Sequence, residues 1–263
     1  GTAVAGLIAA ENNGVGTVGV AFDASITAFR IFGGSVTEAE FADVFNRHAV
    51  ELDISNNSWG FNGFFFDNFD STTFDAVGLA VENAAANGRG GLGTVMLWAA
   101  GNDRTEGQDV NYHSFQNARE TISVAAITNQ GEIAAYSTPG AAILVGAPSN
   151  GGTAGITTTD RVGAPGYSNG GDYTFGFGGT SAATPITAGA VALILEANPL
   201  LGYRDVQEIL AYTARQVDES DPGWVYNGAH NWNGGGLHTS HDFGFGLIDT
   251  HAAVRLAETW TAQ

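Results

Sequence analysis

Residues 178–197 of the chain read GGTSAATPITAGAVALILEA. Residues 186–195 carry no charge and no strongly polar side chain except Thr187, so we expect a helix buried on all sides rather than along one stripe. Because proline is tolerated in the first turn of a helix, Pro185 places the helix start within a few residues of Ser181. The sequence therefore predicts a core helix with a serine at its N-terminus.

Ser181 has two interpretations. A hydroxyl at the positive end of a helix dipole, with small neighbours that let another backbone approach, is well placed to act as a nucleophile. Serine is also a common helix cap, and taken alone Ser181 favours that interpretation. The apolar segment after it spans about a dozen residues, short of the roughly 20 that cross a bilayer, so we expect no membrane span.

Composition limits the classes of partner. The chain has 263 residues, 38 glycines and no cysteine, which indicates one compact domain without disulfides. It carries 27 acidic residues against 9 basic ones, a formal charge of -18. Nucleic acids and anionic membranes need a basic face, so neither is an expected partner. Separately, we expect the protein to be a monomer.

Strand and helix patterns alternate along the first part of the chain. Residues 24–32 alternate weakly as a strand, residues 37–50 have helical spacing after a Thr37 cap, and residues 52–55 predict a buried strand. This order predicts an α/β fold with a parallel sheet and right-handed crossovers. The sequence further predicts helices at 1–10, 70–87 and 203–217, and a last helix that ends near residue 260. It predicts strands at 94–100, 121–127 and 142–147, and an irregular loop at 148–179.

The motif GTSAATP on a buried helix resembles the nucleophile motif of the subtilisin-like serine peptidases, the subtilases. Two more segments match that family in the family's order: GTAVAG at residues 1–6, which in the family directly follows the catalytic histidine, and AAGN at residues 99–102. The similarity covers almost the whole chain and looks closest to the kexin and furin branch, the proprotein convertases. It implies a three-layer α/β/α sandwich with a mostly parallel sheet, and serine endopeptidase activity.

The resemblance also implies site residues. Ser181 would be the nucleophile, and Asn102 with the Ser181 backbone N–H would stabilise the oxyanion. The implied substrate-binding residues are Ser58, Trp59, Gly60, Ala99, Ala100, Gly101 and Thr180. The family's aspartate and histidine would precede Gly1, so residues 1–263 are expected to be the C-terminal larger part of a catalytic domain, inactive alone, with a β-rich domain following in the parent.

A glycine-rich loop at residues 11–21 offers carboxylate, amide and carbonyl oxygens, which are hard ligands suited to Ca²⁺. An ordinary loop closed by Asx turns is the alternative. The resemblance implies a structural calcium held by the Asn13 side chain and by carbonyls around Glu11, Val15 and Thr17.

The chain departs from the convertases where they select basic residues. Acidic side chains expected there are replaced by FNG at residues 61–63 and by His113. Asp67, Asp70 and Asp109 lie near these positions and could substitute for them. Selectivity for basic pairs is therefore an open question at this stage.

We expect a secreted or extracellular serine endopeptidase that acts on polypeptides, with kexin-like processing as one form of that activity, and a propeptide in the parent. The alternative is a non-catalytic pseudo-peptidase or peptide-binding domain, because only Ser181 of the triad is present. His230, His238 and His241 fit no standard zinc spacing, and we expect them to be solvated loop residues.

Overall fold

The computed structural model describes residues 1–34, 36–228 and 236–262. Within them one parallel sheet has the strand order β1-β2-β3-β4, made of β1 (Ile54–Asn57), β2 (Val95–Ala99), β3 (Thr121–Ile127) and β4 (Ile143–Pro148). The helices are α1 (Thr2–Ala9), α2 (Glu38–Glu51), α3 (Asp75–Gly91), α4 (Ser114–Asn117), α5 (Thr180–Ala197), α6 (Tyr203–Thr213) and α7 (Thr250–Ala257). Short antiparallel pairs join β5 (Ile156–Thr159) to β6 (Tyr173–Phe177) and β7 (Val225–Tyr226) to β8 (His238–Thr239).

The sheet lies between two helical layers. Successive side chains of a strand point to opposite faces, and β2 shows both faces buried. Its Val95 and Leu97 pack in the cluster formed with α5, α6 and α7, whereas Met96 and Trp98 pack against α2 and α3. This arrangement confirms the expected three-layer α/β/α sandwich.

Helix α5 is longer than the sequence analysis predicts. It spans 18 residues because its regular geometry already begins at Thr180, so Pro185 lies in the second turn and not the first. By length and composition α5 could cross a membrane, but 67% of it is buried inside the fold. Its small residues let β1, β2, β3, β4 and α1 all pack against it, as expected of a core helix.

The prediction of a strand at residues 24–32 is wrong. This stretch has no ladder partners, and its backbone makes only two hydrogen bonds among the described residues: the Ala24 N–H donates to the Ala21 carbonyl, and Arg30 Nε–H donates to the Phe32 carbonyl at 3.3 Å. A cavity of about 1130 Å³ is lined by residues 24–32, by β1 and by α5 residues such as Ala192 and Leu193. A strand needs a hydrogen-bonding partner, and none of the described chain occupies this space.

Other boundaries differ less. The Thr37–Glu40 capping box at the start of α2 is confirmed, with both reciprocal hydrogen bonds present. Helix α3 starts at Asp75, later than predicted, and Gly88 has extended backbone angles, so the regular helix ends where the glycine run begins. Residues 148–179 are not wholly irregular, because they contain β5 and β6.

Candidate active site

Ser181 is the second residue of α5, directly after a sharp backbone turn. The residue that caps the helix, Gly179, has φ of +75°, a left-handed conformation that favours glycine. A Cβ atom at Gly179 would lie 3.2 Å from the Oδ1 atom of Asn102. The glycine therefore allows the Asn102 side chain and the start of α5 to approach each other closely.

The first turn of α5 is tied to the end of β1. Pro185 has no N–H to donate to the Ser181 carbonyl four residues earlier, and Ser58 Oγ donates to that carbonyl instead at 3.1 Å. In return, Ser181 Oγ donates to the Ser58 carbonyl at 3.3 Å. The sequence analysis places Ser58 at the edge that binds substrate but does not predict this second role. The lack of an N–H at Pro185 is the sequence signal that could have indicated it.

Asn102 follows β2 and is oriented by Thr180. Its Oδ1 accepts hydrogen bonds from the Thr180 N–H at 2.8 Å and from the Thr180 hydroxyl at 3.1 Å. Because a backbone N–H requires an acceptor, these contacts fix which end of the amide is oxygen. The Asn102 NH₂ group donates to no other described residue, so it is available to an incoming oxygen atom.

The predicted site residues lie together. A cavity of about 100 Å³ opens beside Ser181 and Asn102. Its lining includes the predicted residues Trp59, Gly60, Ala99, Ala100, Gly101 and Thr180. Trp98 supports one wall from behind, since its Nε1–H donates to the Trp59 carbonyl at 3.1 Å and its ring stacks on Phe115. Ser58, the remaining predicted contact residue, reaches the site through its hydrogen bonds to Ser181.

The floor of this cavity holds a hydrogen-bonded group that the sequence analysis does not identify. His113 is 4% exposed and pairs through Nδ1 with Oδ1 of Asp67, itself 1% exposed, at 2.8 Å. On the other side of the ring, Nε2 lies 3.1 Å from Oε1 of Gln108. Of the acidic residues considered as pocket groups, Asp67 is thus committed to His113, while Asp109 caps the turn at Asn111.

The phenylalanine-rich loop after Gly60 splits into two parts. Phe61 and Phe69 pack against the core around Phe115. Phe64, Phe65 and Phe66 are 58%, 61% and 57% exposed and lie on the surface beside the cavity. The loop therefore combines a buried anchor with an exposed aromatic face.

No described histidine is placed to act as a base for Ser181. The Ser181 hydroxyl contacts the Ser58 carbonyl, and both ring nitrogens of His113 face other partners. His48 is buried beside Ser55, and its burial lowers its pKa to about 4, so it is neutral at pH 7. His238 packs its ring edge against Trp224, whereas His230 lies outside the described residues.

The candidate calcium loop is closed at its ends by a hydrogen bond from the Gly19 N–H to the Ala10 carbonyl at 2.8 Å. Inside it, Asn13 Oδ1 accepts the Val15 N–H at 3.0 Å, which is the Asx turn weighed as the alternative. The carbonyls of Glu11, Val15 and Thr17 accept no backbone hydrogen bond from a described residue. The loop thus supplies free oxygen atoms, although the described residues include no cluster of three or more acidic, histidine or cysteine side chains.

Comparison with known proteins identifies the family. Residues 1–246 match the model of the subtilase family, peptidase family S8. The chain belongs to this family. This subtilase is 34% identical, over its whole length, to furin-like protease 1 (isoform 1-CRR) of Drosophila melanogaster, of which it covers 23%. It is also 34% identical to furin of Mus musculus over 99% of the chain and 31% of that protein. It therefore spans about a quarter to a third of the length of these curated relatives, and the similarity to the furin-like branch is confirmed.

Solved structures agree on the fold. The serine protease of Aeromonas sobria superimposes on this subtilase with a TM-score of 0.89 over 100% of the chain and 53% of that structure, at 23% identity. A protease from Pseudoalteromonas arctica gives a TM-score of 0.71 at 28% identity over 97% of the chain and 69% of that structure. The subtilisin-like α/β architecture is therefore shared across distant sequences.

Proposed function

We propose that this chain is the larger part of the catalytic domain of a serine endopeptidase that hydrolyses peptide bonds in polypeptides. The observation that carries the proposal is the pairing of Ser181 with Asn102 at one cavity. Thr180 holds the oxygen end of the Asn102 amide and leaves its NH₂ group to donate, as an oxyanion hole requires.

In this mechanism Ser181 Oγ attacks the substrate carbonyl carbon while a base removes its proton. The carbonyl oxygen becomes an oxyanion that accepts hydrogen bonds from the Asn102 side chain and the Ser181 N–H. Collapse of this intermediate expels the amine, and water then releases the acyl group from Ser181. The backbone of Ser58, Trp59 and Gly60 would pair with the substrate as an added strand.

The histidine and aspartate of the triad are proposed to come from a segment of the natural polypeptide that is not part of residues 1–263. The large cavity beside β1 supports this proposal. It adjoins the open edge of β1 on one side and the unpaired residues 24–32 on the other. One extended strand running between them would complete the parallel sheet and reach the Ser58–Ser181 contact.

We further propose proteolytic processing of precursor proteins, without the kexin preference for basic pairs, together with a propeptide, secretion and a structural Ca²⁺ for the whole protein. The furin-like relatives support the first three. For calcium, the support is the closed loop with free carbonyls at Glu11, Val15 and Thr17 and an amide oxygen at Asn13. The ion would bind these oxygens together and stiffen the loop, because Ca²⁺ takes several oxygen ligands in a flexible arrangement.

The test is labelling of the full natural polypeptide, loaded with calcium, by a fluorophosphonate probe, with Ser181→Ala as the control. We expect labelling of the wild type and none of the variant, because only an activated serine reacts. A folded, calcium-loaded protein that is not labelled would contradict the proposal and leave a peptide-binding domain without catalysis.

A further inference from the structure

The cavity beside Ser181 borders a buried, hydrogen-bonded pair of ionisable side chains. His113 lines the cavity directly, and Asp67 lies behind it. Both side chains are at least nine-tenths buried. Their ionisation state therefore decides what the cavity presents to a bound side chain, because little water is available to screen them.

The hydrogen bonds determine that state. Gln108 Nε2 donates to the Asn62 carbonyl at 2.6 Å, so the end of Gln108 that faces His113 is the oxygen, Oε1. The other ring nitrogen faces Oδ1 of Asp67, whose second oxygen accepts the Phe115 N–H at 3.3 Å. Both nitrogens of His113 thus point at acceptors. A neutral imidazole has only one N–H and would set its lone pair against one of these oxygens, whereas an imidazolium donates to both.

Other charges near the cavity are few. Asp103 lines the cavity and is half-buried, so solvent screens part of its charge. Asp109 is turned to the Asn111 N–H, and Arg104 is paired with Asp242. Because Asp67 lies behind the His113 ring and does not line the cavity, its carboxylate is not presented directly to an incoming cation.

We propose that His113, held as an imidazolium between Asp67 and Gln108, is a specificity-determining residue that makes this cavity select uncharged over basic side chains. The inference rests on the proposed function and takes the cavity beside Ser181 and Asn102 as the one that receives the side chain of the residue before the scissile bond. A guanidinium or ammonium group inside the cavity lies against the positive ring of His113. An uncharged side chain meets the apolar walls of Ala99 and Ala100 and the amide of Gln116.

The test compares two fluorogenic peptides that differ only in arginine or citrulline, its uncharged isostere, before the cleaved bond. The ratio of their kcat/KM values is measured on the active full polypeptide at pH 6 and pH 7, because effects on the triad cancel in the ratio. We expect at least about a ten-fold preference for citrulline, because a positive ring beside the bound side chain repels a guanidinium. A preference for arginine at pH 6 would overturn the inference.

Variants locate the effect. His113→Gln removes the proposed positive ring and leaves Asp67 without it, so the ratio should shift at least about ten-fold toward arginine. His251→Gln, at an exposed position of α7, is the matched control and should keep the wild-type ratio. An unchanged ratio in a folded His113→Gln enzyme would overturn the inference.

The protonation state has its own measurement. In ¹⁵N-histidine-labelled wild type, the two ring nitrogens of His113 should both show protonated signals near neutral pH. One protonated and one bare nitrogen would overturn the inference without any variant. If neither peptide is cleaved and the fluorophosphonate does not label Ser181, the proposed function fails and this inference fails with it. If cleavage occurs without the expected selectivity, only the inference fails.

Discussion

Two parts of the sheet differ in how completely they are built. In the closed region, β2, β3 and β4 have hydrogen-bonding partners on both edges, and β2 also has helices on both faces. At the open edge, β1 borders a large cavity, and residues 24–32 face that cavity without pairing. Both parts have strand-like sequences, so the comparison shows that an apolar alternating stretch becomes a strand only where a neighbouring strand supplies hydrogen bonds.

Trp98→Ala tests the closed region and should have the largest effect. The side chain is fully buried, stacks on Phe115 and donates to the Trp59 carbonyl. We expect about 3–5 kcal/mol loss of the free energy of unfolding. Urea unfolding of the full polypeptide, carrying Ser181→Ala to prevent self-digestion, measures it. Val225→Ala, at an exposed side chain, is the control with an expected change within about 0.5 kcal/mol. Equal losses in the two variants would contradict the packing described here.

Asn102→Ala tests whether the closed region carries the catalytic donor. Its Oδ1 contacts to Thr180 hold the amide, and the amide NH₂ is the proposed oxyanion donor. We expect kcat to fall about 10²–10³-fold with KM nearly unchanged, the loss known for removal of one such donor from a subtilisin. Steady-state kinetics on one peptide substrate checks this. A fall of less than about five-fold would mean that Asn102 is only a turn residue.

His48 probes the open edge, because it lines the large cavity. Its folded-state pKa of about 4 lies below the usual value of 6.5, owing to burial. As the pH falls from 6.5 to 4 the unfolded chain binds the proton first, so stability is lost over this window, by up to about 3 kcal/mol. Unfolding curves should give a lower free energy of unfolding at pH 5 than at pH 7, and the difference should be smaller in His48→Gln. If the variant shows the same difference as the wild type, groups other than His48 cause the loss.

Ser58→Ala tests the contact between the two regions and should have the smallest effect. It leaves the Ser181 carbonyl without the donor that replaces the missing N–H of Pro185, at a cost of about 1–2 kcal/mol in unfolding free energy. In a Pro185→Ala background the helix can supply its own N–H, so the cost of Ser58→Ala should shrink. Double-mutant-cycle unfolding measures the coupling. An additive result would show that Ser58 does not compensate for the proline.

Much of this structure follows from the sequence where local chemistry and packing agree. The apolar run after Pro185 predicts α5, and the Thr37–Glu40 pair predicts the start of α2. The turn after β2 places Asn102 next to Ser181, as the motif order implies. In these places a single short stretch of sequence shows both the preference for the secondary structure and the pattern of buried residues. The prediction therefore needs no knowledge of residues far away in the chain.

The rest depends on residues far apart in the chain. Residues 24–32 have strand propensity, but propensity cannot show whether a pairing strand is present. The hydrogen bond between His113 and Asp67 joins positions 46 residues apart, and no spacing rule links them. The hydrogen bond from Ser58 to the Ser181 carbonyl joins residues 123 positions apart. That carbonyl lacks a donor only once the helix has formed, so the need for Ser58 cannot be seen in the sequence around it.

The proline in the second turn of α5 also has a consequence for the order of assembly. The segment after Pro185 can form helix from its own hydrogen bonds, whereas the turn that holds Ser181 is completed by Ser58, the residue that follows β1. A newly made chain therefore completes the turn that carries Ser181 only after β1 has docked. Until then, the Ser181 carbonyl lacks its hydrogen-bond donor, so this end of α5 forms last.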